Sequence, residues 1–354
     1  MTTFSFPTFA GHIAERVADE PAVRQQVIAE PVSEPISDGQ VAAAVRAGLN
    51  SSPKRLPPWL FYDKAGSRLF DEITERSEYY LTRTERSILA SHADAMIAQG
   101  ADGARLRITE LGAGSADKTR ILLKAAIEQQ GTVVYEPVDV SASALEAAKE
   151  RIEREIPEVL VAPRVMDYTQ GNGRGLHLEP TPPGERRLVL YIGSSIGNFE
   201  PREAMRLLQR VRAGLNPGDG FLLGVDLVKD ESTLLAAYND AAGVTADFNL
   251  NLLARLNREL GAEFPLDGFE HHAVWNSAKS RIEMHLESRV AQKVSLLALD
   301  LEVEFAEGET IHTENSYKYR PGQAEAMMAA AGFVSAGSWT DERGWFSVYL
   351  ARAA

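Results

Sequence analysis

The chain reads as an α/β protein: a doubly wound, mostly parallel sheet with an antiparallel C-terminal edge, beside a second α+β unit. Three observations predict this. Between residues 106 and 227, short apolar runs alternate with stretches of helical spacing, the signature of strands linked by crossover helices. The first run ends in a turn built on Gly112 and Gly114, which lets the backbone reverse and approach a ligand closely. Past residue 229 the texture changes: Ile282, Met284 and Leu286 alternate with Arg281, Glu283 and His285, as in antiparallel strands.

Residues 1–40, interrupted by Pro7, Pro21, Pro31 and Pro35, read as an irregular extension. Short helices are expected around 41–49 and 64–75, with Trp59-Leu60-Phe61-Tyr62-Asp63 between the prolines and the second of them. Thr82 with Glu85 three residues on looks like a capping box for a helix that stops at Gly100. Strand 106–111 leads to helix 116–130, which Ser115 would cap. Strand 132–138 ends on Asp139, and Ser143 with Glu146 would box the next helix. Strand 159–165 ends on Asp167-Tyr168, a Gly/Pro-rich loop spans 170–184, and strand 187–192 follows. Helix 202–213 opens after Pro201, and the Asn216–Gly220 turn leads to strand 221–227. Helices near 231–241 and 245–261 precede alternating segments at 270–277, 281–291 and 299–315. A helix from Pro321 to Gly332 and strands 333–339 and 345–351 complete the chain. The second unit therefore interrupts the first, as 41–85 with 229–317, against 86–228 with 318–354.

A net charge of −13 disfavours a nucleic-acid partner. The chain has no cysteine, which excludes disulfides, thiolate metal sites and cysteine nucleophiles. No apolar run approaches the roughly 20 residues of a bilayer span. Residues 1–18 lack the basic-then-apolar pattern of a secretory signal, so the expected location is the cytoplasm. The seven histidines are scattered, and adjacent His271 and His272 would face opposite sides of a strand, so no metal site is expected. Trp275, Trp339 and Trp345 read as a cluster that packs a core, and Arg83, Arg86 and Lys118 as mostly solvated.

Glu110, Asp139 and Asp167 stand at the ends of three successive strands, where a doubly wound sheet holds its cofactor. Each alone could simply cap the next helix; three together with a G-x-G turn point to a nucleoside. Asp117 occupies the position where a dinucleotide fingerprint needs glycine, which disfavours NAD. An acid before the turn suits a ligand with a cationic amino-acid tail, hence S-adenosylmethionine. Asp139 can take both ribose hydroxyls, and Asp167 the adenine amino group with Tyr168 stacked nearby. After the fourth strand, Gly193–Asn198 would face the transferred group, Asn198 offering a donor and an acceptor. Glu314 and Ser316 share a strand face and could hold both edges of an imidazole.

These residues resemble the histidine-specific Nα-methyltransferases of ergothioneine biosynthesis. The strings that carry the likeness include Phe61-Tyr62-Asp63, Glu78-Tyr79-Tyr80, Glu110-Leu111-Gly112-Ala113-Gly114-Ser115, Gly193–Asn198, Gly224–Asp230, Tyr238-Asn239-Asp240, Arg281–His285 and Thr313-Glu314 with Ser316. The likeness covers roughly residues 40–354. It implies a Rossmann-like class I methyltransferase domain joined to a substrate-binding domain. It implies S-adenosylmethionine held through Tyr62, Glu110, Gly112, Gly114, Lys118, Asp139, Asp167 and Tyr168, with S-adenosylhomocysteine as product and no metal. L-histidine would be held by Tyr79, Gly193, Asn198, Tyr238, Met284, Glu314 and Ser316, with Tyr79 as the catalytic group, in a monomer without nucleic-acid or membrane partners. Three methyl transfers would give the betaine hercynine. Alternatives are another acceptor, tryptophan or tyrosine, or a non-catalytic S-adenosylmethionine-binding module. Asn315, Tyr317 and Tyr319 flank the imidazole-reading pair where smaller or less polar side chains are usual in the family, and Tyr168 stands where phenylalanine is common.

Overall fold

The computed structural model describes residues 38–169, 176, 178 and 180–354. Residues 1–37 of the expected 1–40 extension and most of the 170–184 loop lie outside them, while residues 38–40, expected to be irregular, already open the first helix. The chain runs α1 (Asp38–Leu49), β1 (Lys54–Arg55), α2 (Lys64–Thr74), α3 (Tyr80–Ala101), β2 (Arg105–Leu111), α4 (Thr119–Gln130), β3 (Val133–Asp139) and α5 (Ala142–Glu155). It continues with β4 (Val159–Val161), β5 (Arg164–Val165), β6 (Glu185–Tyr191), α6 (Pro201–Ala213), β7 (Gly220–Asp226), α7 (Glu231–Tyr238) and α8 (Val244–Leu260). Strands β8 (Phe269–Asn276), β9 (Arg281–Ser288), β10 (Gln292–Leu296), β11 (Leu301–Phe305) and β12 (Thr310–Tyr317) precede α9 (Gln323–Ala330), β13 (Phe333–Thr340) and β14 (Phe346–Ala353).

The main sheet has the order β13-β14-β7-β6-β2-β3-β4, with β5 also paired to β3. Strands β7, β6, β2, β3 and β4 are parallel, and β14 lies antiparallel to both β7 and β13. From β2 the chain winds outward to β4, then returns to the other side of β2 through β6. The switch point is therefore the β2–β6 border, where ligands bind in open α/β sheets. This is the class I methyltransferase architecture expected above. The second sheet, β1-β12-β9-β8, is antiparallel apart from the β1–β12 pair, and β10 with β11 forms a separate hairpin.

The hydrophobic interior divides along the same line. One core draws on residues of 41–81 and 234–311, including Phe61, Phe248, Leu252, Ile282 and Leu286. Two others, on either side of the main sheet, draw on residues between 88 and 353.

Several local expectations are corrected. Helix α3 begins at Tyr80 with Tyr79 as N-cap, so Thr82 and Glu85 lie inside it and form no capping box. Helix α4 opens at Thr119 after Lys118, not on Ser115. For α5 the cap is Ser141, whose hydroxyl accepts from the Ala144 N–H at 3.2 Å. The expected strand 159–165 breaks at Pro163, and the segment 299–315 splits at the turn around Gly308. Helix α7 stops at Tyr238 because the Asp240 carboxylate instead accepts from the Val244 and Thr245 N–H groups and starts α8. The tryptophans do not cluster: Trp275 and Trp345 pack on the first core, Trp339 on the second.

Candidate active site

The turn after β2 holds Gly112 at φ +68° and Gly114 at φ +49°, conformations that favour glycine. The Gly112 and Ala113 N–H groups donate to Val138 O (2.8 and 3.2 Å), fastening the turn to the end of β3. Asp139 accepts from Gly114 N (3.1 Å) and Ser141 N (3.0 Å), and burial raises its carboxyl above the usual range. A Cβ added to Gly114 would meet nothing within 4 Å, so the turn leaves open space beside Asp139. Asp167 Oδ1 accepts the Thr169 N–H (2.8 Å) and hydroxyl (2.5 Å), and buried Tyr168 packs edge-on to Tyr191. The Tyr168 hydroxyl reaches over the turn, 2.7 Å from where a Cβ on Gly112 would stand. Glu110 is committed to the protein: its oxygens accept from the Thr119 hydroxyl (2.7 Å) and from Tyr135, and burial lifts it to about 7.

Lys118 is not solvated; it forms an ion pair with the fully buried Glu85. The same carboxylate accepts the Gly193 N–H at 2.9 Å on both oxygens. A Cβ on Gly224 would strike Glu85 Oε1 at 2.1 Å, so glycine there makes room for it. Glu85 thus ties together the loops after β2 and β6 across the switch point. Arg86 pairs with Asp117 at 2.7 Å, and Arg83 donates to the Arg76 and Ser77 carbonyls (both 2.6 Å).

Beside this turn lies a cavity with about 550 Å³ between its walls, mouth included. All seven residues expected to hold the acceptor line it: Tyr79, Gly193, Asn198, Tyr238, Met284, Glu314 and Ser316. They come from α7, the β6 loop, β9, β12 and the start of α3. Tyr62, expected with the cofactor, lines this cavity too. Burial pushes its phenol well above the usual range, with Glu314, Tyr79, Tyr168 and Asp139, members of both sets, adding to the shift. Aromatic rings form much of the wall: Phe70 lies edge-on to Tyr62 (5.8 Å) and Tyr79 (6.2 Å), and Tyr79 to Tyr238 (6.1 Å).

A β-bulge aims the two imidazole-reading candidates. The β12–β9 register shifts between His312 and Glu314, inserting Thr313. Strict alternation from buried Ile311 would turn residues 313 and 315 inward; Thr313 is buried, but the extra residue flips the parity after it, and Glu314 and Ser316 are buried in place of Asn315. The opposite face takes Asn315 and Tyr317, whose hydroxyl donates to Glu200 (2.7 Å) beside Arg281. The Tyr319 hydroxyl lies 3.5 Å from Ile196 O. None of these three flanking residues lines the cavity.

Glu314 accepts from Asn198 Nδ2 at 3.3 Å, and burial raises its carboxyl to about 7 against the counter-pull of Lys318. Buried Lys318, not anticipated, lies 2.9 Å from the Tyr238 hydroxyl, 2.8 Å from Ser316 Oγ and 2.8 Å from Asp226 Oδ2. Asp226, at the end of β7, also accepts from Tyr80 (2.7 Å) and pairs with Lys229 (2.5 Å). His271 fixes the end of α7: Asn249 donates to its Nδ1 (2.9 Å) while its Nε2–H donates to Tyr238 O (2.8 Å). Burial depresses its pKa, consistent with a neutral ring. For Lys318 the Ser316-Tyr317-Lys318 spacing was a weak signal; for Glu85 the capping-box spacing misled, and for His271 no local pattern pointed to its role.

Burial and neighbouring Tyr238 and Glu314 hold the Tyr79 phenol protonated. Among the described residues no group of three or more His, Asp or Glu is placed to hold a metal ion. None of their helices is long and apolar enough to cross a membrane.

A family model described as histidine-specific methyltransferase, SAM-dependent, matches residues 41–353. The chain is 47% identical over 308 residues to a histidine N-alpha-methyltransferase of Mycolicibacterium smegmatis, covering 87% of this chain and 93% of that protein. It is 45% identical over 308 residues to a protein of the same name from Mycobacterium tuberculosis, with the same coverage. It is 30% identical to ergothioneine biosynthesis protein 1 of Neurospora crassa, across 81% of this chain and 32% of that protein.

Proposed function

Because the chain belongs to the histidine-specific, S-adenosylmethionine-dependent methyltransferase family, we propose that it methylates the α-amino group of L-histidine three times, to hercynine. The observation that carries this reading is the convergence of Asn198, Tyr238, Glu314 and Ser316 on one cavity beside the glycine turn. The segments 41–85 and 229–317 would hold the acceptor and 86–228 with 318–354 the cofactor, in a cytoplasmic monomer.

The residues present fit S-adenosylmethionine. The turn at Gly112 and Gly114 leaves open space, and Asp139, anchored by two backbone N–H groups, retains acceptor capacity for a ribose diol. Asp167 and Tyr168 would take the adenine end. Glu110 and Lys118 act more remotely, Glu110 bracing the turn and Lys118 holding Glu85. When bound, the cofactor supplies a methyl group on a sulfonium, an electrophile that needs alignment more than activation.

The chain's residues supply the alignment. Asn198 would hold the acceptor's carboxylate and Glu314 and Ser316 its ring, while Tyr238, its hydroxyl engaged with Ser316 and Lys318, would wall the space between them. Tyr79 would orient the amine as a neutral hydroxyl; it can pass a proton on only by giving one as it receives one. Tyr62 we assign to the border of the two ligands. Walls of Tyr62, Phe70, Tyr79 and Tyr238 suit an amine that gains methyl groups and ends as a quaternary ammonium, since aromatic faces attract such cations.

The test is incubation with S-adenosylmethionine and a panel of amino acids, read by mass. Mono-, di- and trimethylated histidine are expected; methylation confined to tryptophan or tyrosine, or cofactor binding without product, would overturn the reading.

A further inference from the structure

A buried lysine beside a substrate cavity commonly offers a spare N–H to the ligand; Lys318 has none. An ammonium carries three N–H donors, and here they go to Tyr238 Oη (2.9 Å), Ser316 Oγ (2.8 Å) and Asp226 Oδ2 (2.8 Å). Asp226 answers the charge from β7, with Lys229 on its other oxygen, and the ammonium also lies 4.6 Å from the centre of the Tyr238 ring. The site is closed from every side the protein provides.

The consequence falls on two hydroxyls. Tyr238 Oη and Ser316 Oγ are 2.6 Å apart, so one donates to the other. Each already accepts from Lys318. If Ser316 donated to Tyr238, the phenolic oxygen would accept twice, although its lone pair is drawn into the ring. The favourable arrangement has Tyr238 donating to Ser316. Both lone pairs of Ser316 are then filled, and its only remaining capacity is its own O–H. Two residues back on the same strand face, Glu314 is bound to Asn198 and offers acceptor oxygens.

Resting on the histidine reading above, we propose that Lys318 is a positioning residue that fixes Ser316 as a hydrogen-bond donor, so that the cavity selects a ring with one N–H and one bare nitrogen, the neutral imidazole. An imidazolium would turn N–H against O–H. An indole or phenol would leave the Ser316 hydroxyl facing carbon. The selectivity thus comes from a side chain that does not touch the ligand.

The test measures binding to the full-length protein loaded with S-adenosylhomocysteine. The ligands are L-histidine and the two pyrrolylalanine isomers, each of which keeps one ring N–H and has C–H for the other nitrogen. Wild type should prefer histidine by about 100-fold or more, because a site built to bond a polar atom rejects analogues lacking it. In Lys318→Met, Ser316 is free to rotate its proton elsewhere, and the preference should shrink by about tenfold. Ser316→Ala, with Lys318 intact, should lose it to a similar extent. Wild type also carries a test that no folding defect can blur. With ring-15N histidine bound at about pH 6, where the free ring is mostly cationic, one nitrogen should be protonated and one bare. A bound imidazolium, or an unchanged preference in Lys318→Met, would overturn the role of Lys318 while leaving histidine as substrate. Failure of wild type to bind histidine at all would overturn both.

Discussion

The two halves of the site are built from different materials. The cofactor end uses backbone: a glycine turn stitched to Val138, and Asp139 held by two N–H groups. Its residues fall within one stretch, from Glu110 to Tyr168. The acceptor cavity uses side chains brought together from Tyr62 to Ser316, and it rests on a buried charge cluster of Asp226, Lys229 and Lys318. A backbone cradle binds what a whole fold class binds. A cavity braced by buried charge is suited to distinguish between acceptors, at a cost carried in stability.

Four substitutions and pH shifts would sharpen or break that contrast. The largest effect is expected from Asp226→Ala, which strands two buried ammonium groups. Breaking such a cluster costs about 3–5 kcal/mol, to be read as a lowered denaturant midpoint at unchanged slope. A loss below about 1 kcal/mol would mean that the lysines find other partners. Next, Gly112→Val places a branched side chain at φ +68° against the Tyr168 hydroxyl. The backbone term alone is about 1–2 kcal/mol and should lower the melting temperature by a few degrees, while the side chain filling the turn should weaken S-adenosylhomocysteine binding at least about tenfold. Tyr79→Phe removes the hydroxyl proposed to orient the amine. Turnover should fall about 10- to 100-fold with cofactor affinity unchanged; equal turnover would remove Tyr79 from the chemistry.

The smallest effect is a pH step. Glu314 is raised from 4.5 to about 7 by burial. A carboxyl raised on folding binds its proton more tightly in the folded chain, so its stability contribution is complete below about pH 4.5 and is lost as pH rises through about 7. Ionisation nonetheless creates the acceptor a ring N–H needs. Between pH 6 and 8 histidine affinity should therefore rise as Glu314 ionises, beyond what the titration of the ring itself explains. Glu314→Gln should erase that step and should be less destabilised by alkaline pH than wild type.

The same contrast decided what the sequence could disclose. The alternation of strands and helices, the glycine turn and the acids at strand ends follow from local periodicity and turn chemistry, and these were legible over residues 106–227. Asn198, Glu314 and Ser316 were candidates on their own chemistry, but their union in one site, with Tyr79, Gly193, Tyr238 and Met284, was legible only through long strings shared with a family, because nothing local links Asn198 to Glu314. Glu85 shows how local reading misleads. Its spacing from Thr82 matches a capping box, yet helix α3 starts earlier and the carboxylate finds Lys118 and the Gly193 N–H. The bulge at Thr313 is similarly silent: no glycine or proline marks it, although it alone turns Glu314 and Ser316 toward the cavity. Lys318 is hidden because a lysine at a strand end ordinarily reads as solvated; only the fold brings Asp226 to it.

The central claim is that the cavity chooses the acceptor while the turn holds only the methyl donor. It is tested most directly by titrating Glu314→Ala with L-histidine and, separately, with S-adenosylhomocysteine. An unpaired ring N–H costs about 1–3 kcal/mol, so histidine affinity should fall by about tenfold or more, with S-adenosylhomocysteine affinity within about twofold of wild type. Unchanged histidine affinity, or an equal loss for both ligands, would contradict it.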